Sequence, residues 1–234
     1  MKLSIIIPAY NEEKYIGQCL ESLINETKGN TFVEEIIVIN NASTDRTREV
    51  ALSYGVRVVD EPNKGLTKAR QRGLVEARGD LLSYIDADSK IPKGWLNKIY
   101  TAFTTRPNLV GFSGPYRYYD GSLFLRFILN LIWYISAPIT YLIVGYMILG
   151  GNFVAKKSAL IAMGGFDTTI EFYGEDTNIA WRLNKQGKVL FKMNFYVYSS
   201  SRRFSSIGIV KTTVLYALNF IWQVVFKKPF TNRS

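Results

Sequence analysis

The sequence predicts an α/β domain, a mostly parallel sheet with helices on both faces, and two observations predict it. Short, continuously apolar runs alternate with stretches of helical spacing through the first half, the pattern of strands buried on both sides by crossover helices. The polar residues that interrupt the pattern fall directly after the apolar runs, at Pro8-Ala9-Tyr10, Asn40-Asn41 and Asp86-Ala87-Asp88. Those are the carboxyl ends of strands, where open α/β sheets bind their ligands, so one sheet edge brings all three together.

Each element follows from its own residues. Leu3-Ser4-Ile5-Ile6-Ile7 reads as a first buried strand, because the run is ended by Pro8 and is too short for a signal-peptide core. Ile16, Leu20, Leu23 and Ile24 then recur at helical spacing from Asn11 onward. Glu35 to Ile39 is a second strand, Ser43-Thr44-Asp45 can cap a helix through about Tyr54, and Val56 to Val59 makes a third strand. Lys64 to Arg78 reads as a helix stopped by Gly79, and Leu81 to Ile85 as a fourth strand running straight into Asp86. In the second half Asn152 to Ala155 is strand-like and Gly164-Gly165 a turn. Thr177 to Asn184 is helical with Ile179 and Leu183 on one face, and Val189 to Tyr198 is strand-rich. Two long apolar segments stand apart, Leu123 to Leu149 and Ile207 to Phe226, the latter ending in Lys227-Lys228.

Composition excludes several chemistries. There are 29 Lys plus Arg against 19 Asp plus Glu, one Cys and no His in 234 residues. Without His there is no Ser-His-Asp or Cys-His catalysis and no imidazole-based zinc site. Acid–base work falls to Asp, Glu, Lys or Tyr, and any metal is held by oxygen, which favours Mg²⁺, Mn²⁺ or Ca²⁺. Cys19 alone makes no intrachain disulfide. The net charge of +10 asks for an anionic partner: phosphates of a nucleotide, an acidic membrane surface or nucleic acid.

Asp86-Ala87-Asp88 is the sharpest local signal. Two carboxylates at i and i+2 after a buried strand point the same way, and their repulsion asks for a cation between them, such as a divalent metal carrying a nucleotide diphosphate. A solvated Asp-x-Asp turn is the plain alternative. Lys64-Gly65 begins a basic helix whose N-terminus and cations suit phosphate; Arg70, on the face of Ala69 and Gly73, is a better candidate than the solvated Lys68 and Arg72. Asn40 and Asn41 can pair with a base edge or serve as ordinary strand-end turn residues. Glu175-Asp176, after Gly174, is either a dipole-favoured helix start or the general base that a His-free protein needs for a hydroxyl.

Taken in order, Pro8-Ala9-Tyr10-Asn11-Glu12-Glu13, Asn40-Asn41-Ala42-Ser43-Thr44-Asp45, Lys64-Gly65 to Ala69-Arg70, Asp86-Ala87-Asp88 and Gly174-Glu175-Asp176 resemble the family 2 glycosyltransferases of the GT-A fold, over residues 3 to about 205. The resemblance implies a nucleobase held by Pro8, Ala9, Tyr10, Glu12 and Asn40, and a donor contacted by Lys64, Gly65, Arg70, Asp86 and Ala87. It implies Mg²⁺ or Mn²⁺ on Asp88, and Asp176 as the catalytic base of an inverting enzyme, with Glu175 beside it. Arg202 and Arg203, in Arg202-Arg203-Phe204, are loosely similar to the family's C-terminal basic motif near the diphosphate. Asn40 and Asn41 stand where the family often has Asp; an amide oxygen still accepts a uracil N3–H but brings no charge.

The resemblance also constrains the apolar segments. Leu123 to Leu149 exceeds the roughly 20 residues that span a bilayer, yet Asp88 precedes it and Asp176 follows, and one site needs both. A break at Ser136-Ala137-Pro138 is therefore expected, giving an interfacial or re-entrant helix pair with Trp133, Tyr134, Tyr141 and Tyr146 at the headgroups; burial in the domain is the alternative. Ile207 to Phe226, with Lys211, Lys227 and Lys228, reads as an in-plane anchor on the cytoplasmic side, or else as a helix covering the sheet or a homodimer contact.

The expected organisation is a catalytic domain over 1–206, with a nucleotide-sugar half at 1–120, an apolar insertion at 121–150 and an acceptor half at 151–206. An apolar helix and basic tail follow at 207–234. The expected activity is metal-dependent, inverting transfer of a sugar from a UDP- or GDP-linked donor to a hydroxyl acceptor, lipid-linked, at the membrane surface. A polyprenyl-phosphate acceptor, which needs no base, is the neighbouring reading. Nucleotidyl transfer lacks its Gly-rich loop after the first strand, and a nucleic-acid-binding module would be repelled by carboxylates at the strand ends.

Overall fold

In the computed structural model, residues 1–226, 228, 230 and 231 are described. Lys227 of the expected basic tail, like residues 229 and 232–234, lies outside the described residues.

The chain begins β1 (Leu3–Ala9), α1 (Ile16–Thr27), β2 (Val33–Asn40), α2 (Thr47–Ser53), β3 (Arg57–Asp60), α3 (Leu66–Glu76) and β4 (Leu81–Ile85). These strands pair in parallel in the order β3-β2-β1-β4. β1 is buried along its whole length because both of its faces are covered. Ile5 and Ile7 pack with Leu20, Leu23, Trp95 and Ile99 on one side, while Ile6 packs with Ala69, Leu74, Ile179 and Leu183 on the other. That two-sided burial is why the run is apolar without alternation.

The remaining elements are α4 (Trp95–Thr104), β5 (Leu109–Ser113), β6 (Tyr116–Tyr118), α5 (Leu123–Val144), β7 (Asn152–Lys156), α6 (Lys157–Ala162), α7 (Glu175–Asn184), β8 (Lys188–Phe191), β9 (Val197–Ser199), α8 (Arg202–Ile207) and α9 (Ile209–Phe226). They extend the sheet to seven strands, β3-β2-β1-β4-β7-β5-β8, with β7 antiparallel to both neighbours. β6 and β9 form a separate parallel pair. Because β7 runs backwards, its first residue Asn152 lies beside Ile85 at the carboxyl end of β4. The turn before β7 is thereby placed against Asp86.

The expected break in the first apolar segment does not occur. α5 is one uninterrupted helix of 22 residues with Pro138 inside it. Ser122 caps it by accepting from the Leu125 N–H at 3.1 Å, and Gly145 ends it in the left-handed conformation at φ 81°. Pro138 lies on the exposed face of the helix, which continues through it to Val144. Nor is the segment buried: Leu129 and Ala137 are its only buried residues, whereas Leu123, Phe124, Phe127, Ile135, Ile139, Leu142 and Ile143 are exposed. Of the four aromatics expected at headgroups, only Tyr134 is exposed. Tyr146 is buried, Trp133 packs edge-on to Tyr116, and the Tyr141 hydroxyl donates to the Val189 carbonyl at 3.0 Å.

α9 has inverted polarity. Thr212, Asn219 and Gln223 face inward and are buried, while Val214, Leu218, Ile221 and Val225 face outward. The outer stripe recurs every three to four residues, and the inner one at spacings of seven and four, each along one helix face.

Candidate active site

Two loops at the ends of β1 and β2 are laced together by side chains. Glu12 N–H donates to Thr47 Oγ1 at 2.7 Å, Glu13 N–H to Asp45 Oδ2 at 3.1 Å, and Asn11 N–H to Ser43 Oγ at 3.1 Å. In return the Thr44 N–H donates to Asn11 Oδ1 at 2.8 Å, and that of Arg46 to Glu13 Oε2 at 3.1 Å. Ser43 and Thr44 thus brace the first loop instead of capping α2, and only Asp45 accepts from the Thr47 N–H, at 2.9 Å. Pro8 and Ala9 are buried at the end of β1 and form the floor, with no polar side-chain atom to offer. Tyr10 stands over them, half exposed, with Lys64 Nζ 3.9 Å from its ring centre.

Asn40 and Asn41 divide the labour. Asn41 is structural: its Nδ2 donates to the Glu61 and Asn63 carbonyls and its Oδ1 accepts from the Gly65 N–H at 2.8 Å, which ties Lys64-Gly65 to the end of β2. Asn40 Nδ2 donates to Asp60 Oδ1 at 2.8 Å, but its Oδ1 is buried without a partner. A buried acceptor left open costs free energy until something donates to it.

The two aspartates after β4 share the crevice but not their partners. Asp86 is partly buried and accepts from the Tyr116 hydroxyl at 3.2 Å, while that hydroxyl accepts from the Gly151 N–H at 2.8 Å. Asp88 lies 3.2 Å from Arg202 Nε, and Arg202 also pairs with Glu12. Ala87, between them, is buried. Burial holds Asp86 above the usual carboxylate range, and burial together with Asp86 pushes Asp88 up to about 7. Burial raises Glu12 as well, although its pairing with Arg202 pulls the other way. The crevice carries more negative charge than its own cations neutralise.

Opposite the aspartates, Arg70 projects from α3 with its side chain buried. Its Nη1 lies 3.5 Å from both Glu175 Oε1 and Asp176 Oδ1. Glu175 and Asp176 open α7, and Gly174 precedes the helix at φ 86°. Burial and the adjacent Asp176 raise Glu175 well above an ordinary Glu. Asp176 is the more open of the two, and its Oδ1 has no hydrogen-bond partner. Lys68 and Arg72 stay out of the crevice; Arg72 pairs with Glu76 at 2.9 Å.

Gly150 and Gly151, absent from the sequence-based set, shape this meeting point. A Cβ on Gly150 would overlap the Arg70 guanidinium and the Asp176 carboxylate, and one on Gly151 would overlap Asp86. Tyr116 was also missed, since a lone Tyr between two short strands carries no signal. The Gly150-Gly151 pair ahead of a strand was the readable clue. Arg203 sits over the Phe172 ring at 4.1 Å and donates to the Tyr216 hydroxyl at 2.9 Å, which ties the site to α9.

Among the described residues no three Asp, Glu or Cys side chains converge as a metal cage. The residues do fit a divalent ion bound chiefly by its nucleotide, with Asp88 as the protein ligand. A guanidinium already sits against Asp88, and Glu12 Oε2 nearby is buried without a partner.

The profile of the family described as Glycosyl transferase family 2 matches residues 4–164. The chain is 37% identical over 97 residues to the dolichyl-phosphate beta-glucosyltransferase ALG5A of Trichomonas vaginalis, a stretch covering 37% of this chain and 30% of that protein. It spans less than a third of the first curated relatives it matches, 14% to 32% of their lengths. Among solved structures it is similar to the mannosyltransferase PcManGT from Pyrobaculum calidifontis in complex with GDP-Man and Mn²⁺, with a TM-score of 0.72 at 16% identity over 96% of this chain and 64% of that one. S. aureus TarS 1–349 in complex with UDP-GlcNAc gives a TM-score of 0.68 at 20% identity, over 86% of this chain and 59% of that one. At such identities the likeness is one of fold, a GT-A arrangement.

Proposed function

The chain belongs to glycosyltransferase family 2, and from that premise we propose that it is an inverting, metal-dependent hexosyltransferase. It takes a sugar from a UDP- or GDP-linked donor and passes it to a hydroxyl of a lipid-linked acceptor at the cytoplasmic membrane face. The observation that carries the reading is the Asp176 carboxylate at the start of α7, held 3.5 Å from the Arg70 guanidinium yet more open than its neighbour Glu175, in the same crevice as Asp86.

The residues divide into donor and acceptor sides. Asn40 Oδ1 receives an N–H from the base, Tyr10 and Lys64 cover it, and Asp86 faces the ribose or the sugar. Asp88 would hold Mg²⁺ or Mn²⁺; that ion, when bound, neutralises the charge that develops on the leaving diphosphate. PcManGT carries both Mn²⁺ and a nucleotide sugar, which supports this cofactor. Arg70 fixes the carboxylates of Glu175 and Asp176 by charge and fills the space beneath them. Asp176 takes the acceptor's proton as the hydroxyl attacks the anomeric carbon from the face opposite the diphosphate, which inverts that carbon.

The membrane part of the reading is supported by α5 and α9. α5 turns eight large apolar side chains and Tyr134 outward, and α9 has its polar stripe inside and its apolar stripe outside. That is the arrangement expected of a helix whose outer medium is hydrocarbon. The acid-free final stretch agrees with an anionic surface: all 19 acidic residues lie at or before Asp176, and ten of the 29 basic residues follow it, so the whole excess of +10 belongs to residues 177–234.

The name of the Trichomonas relative favours a second acceptor, a polyprenyl phosphate. The substitution Asp176→Asn separates the two. A hydroxyl acceptor needs the base, so kcat falls by about 10²–10⁴ with donor Kd nearly unchanged. A phosphate acceptor is already ionised, and near-normal turnover would remove Asp176 as a base.

A further inference from the structure

Arg202 is placed where a cation is needed, and it comes from the far end of the chain. It is the first residue of α8, 190 positions from Glu12, yet its Nε lies 3.2 Å from Asp88 Oδ2 while Nη2 meets Glu12 Oε1. The guanidinium also lies over the Tyr15 ring at 4.5 Å. Both carboxylates are largely buried, at 13% and 14% side-chain exposure, whereas Arg202 keeps 40%. The second oxygen of Glu12 is buried and unpartnered, so the guanidinium does not satisfy the pair fully. A buried carboxylate pair with one partly exposed counter-charge is a site that an ion of higher charge can take over.

We propose that Arg202 is an internal counter-cation that competes with the divalent metal for Asp88, so that metal alone binds weakly and metal with nucleotide binds well. In the empty protein the guanidinium neutralises Asp88 and Glu12. A metal ion arriving by itself has to displace it and leave it facing a second cation, which is unfavourable. A metal arriving with a nucleoside diphosphate brings the negative charge that receives the released guanidinium. Arg202 thereby couples the two binding events and keeps the crevice from filling with metal before donor. This rests on the metal reading of Asp88.

The experiment is Mn²⁺ titration of the full chain without nucleotide, followed by electron paramagnetic resonance, and then again with UDP and with GDP. Arg202→Ala and Arg202→Gln should each bind Mn²⁺ alone roughly tenfold more tightly than wild type, since one competing charge is gone. They should also lose most of the enhancement that nucleotide gives to Mn²⁺ binding. Equal or weaker Mn²⁺ affinity in both Arg202 variants, with wild-type enhancement by nucleotide, overturns the counter-cation. Asp88→Ala distinguishes the two levels: wild-type Mn²⁺ binding in that variant overturns the metal reading itself, whereas its loss beside unchanged Arg202 variants overturns only the competition.

Discussion

Arg70 shows how much a single residue holds in place. Its buried guanidinium is matched by Glu175 and Asp176, which with Asp86 keep its charge on despite the burial. Arg70→Ala leaves two carboxylates facing each other without a cation, so stability should fall by about 3–5 kcal/mol, read by denaturant unfolding. Gly151→Ala acts by shape instead. Its Cβ would displace Asp86, and a shift of about 1 Å at a donor-facing carboxylate is expected to reduce kcat/KM by roughly 10²-fold while the fold survives. Wild-type activity in Gly151→Ala would contradict the placement of Asp86. Asp88 adds a pH dependence. Burial and Asp86 raise it from 3.8 to about 7, so between those values the folded state holds a proton that the unfolded chain has released. Stability from this group is therefore lost as pH rises through that window and levels off above it. In metal-free protein the Tm of wild type should fall relative to Asp88→Asn from pH 5 to 7; parallel curves would contradict it. The carboxylates and Arg70 were legible in the sequence because strand-end and helix-start positions advertise them. The partners of those residues were not, because Tyr116, Gly150 and Gly151 reach the site through a strand that runs backwards.

At the scale of elements, β1, β2 and β4 could be read from unbroken apolar runs, and α7 from Ile179 and Leu183. β5 and β6 could not: five residues including a glycine, and three residues, are too short to show a period. α4 and α6 went unread as well, and α5 was read as broken. A proline inside a helix removes one hydrogen bond and crowds the preceding turn, which can kink a helix without ending it, and α5 runs through Pro138. The outward apolar faces of α5 and α9 lead to a test. The protein should float with anionic liposomes, and removing residues 207–234 should weaken that binding. High salt should release only part of it, because apolar contact is not screened. Absence from liposomes at low salt would instead favour a second copy of the chain against those faces.

Across the whole molecule, the sheet order is what turns separated motifs into one site. Placing β1 between β2 and β4 sets Ala9 beside Asn40, and the reversed β7 brings the Gly150-Gly151 turn to Asp86. The basic last quarter then closes over the acidic crevice through Arg202 and Arg203. The account predicts that this crevice recognises a nucleoside diphosphate only together with a divalent cation. Calorimetric titration of UDP and GDP into wild type and Asp88→Ala, with Mn²⁺ and with chelator, tests that most directly. Wild type should bind one of the two with Mn²⁺ and lose about 10- to 100-fold or more in affinity when either the metal or the Asp88 carboxylate is removed, with Tm preserved. Mn²⁺-dependent binding retained at full strength by a folded Asp88→Ala protein would contradict it.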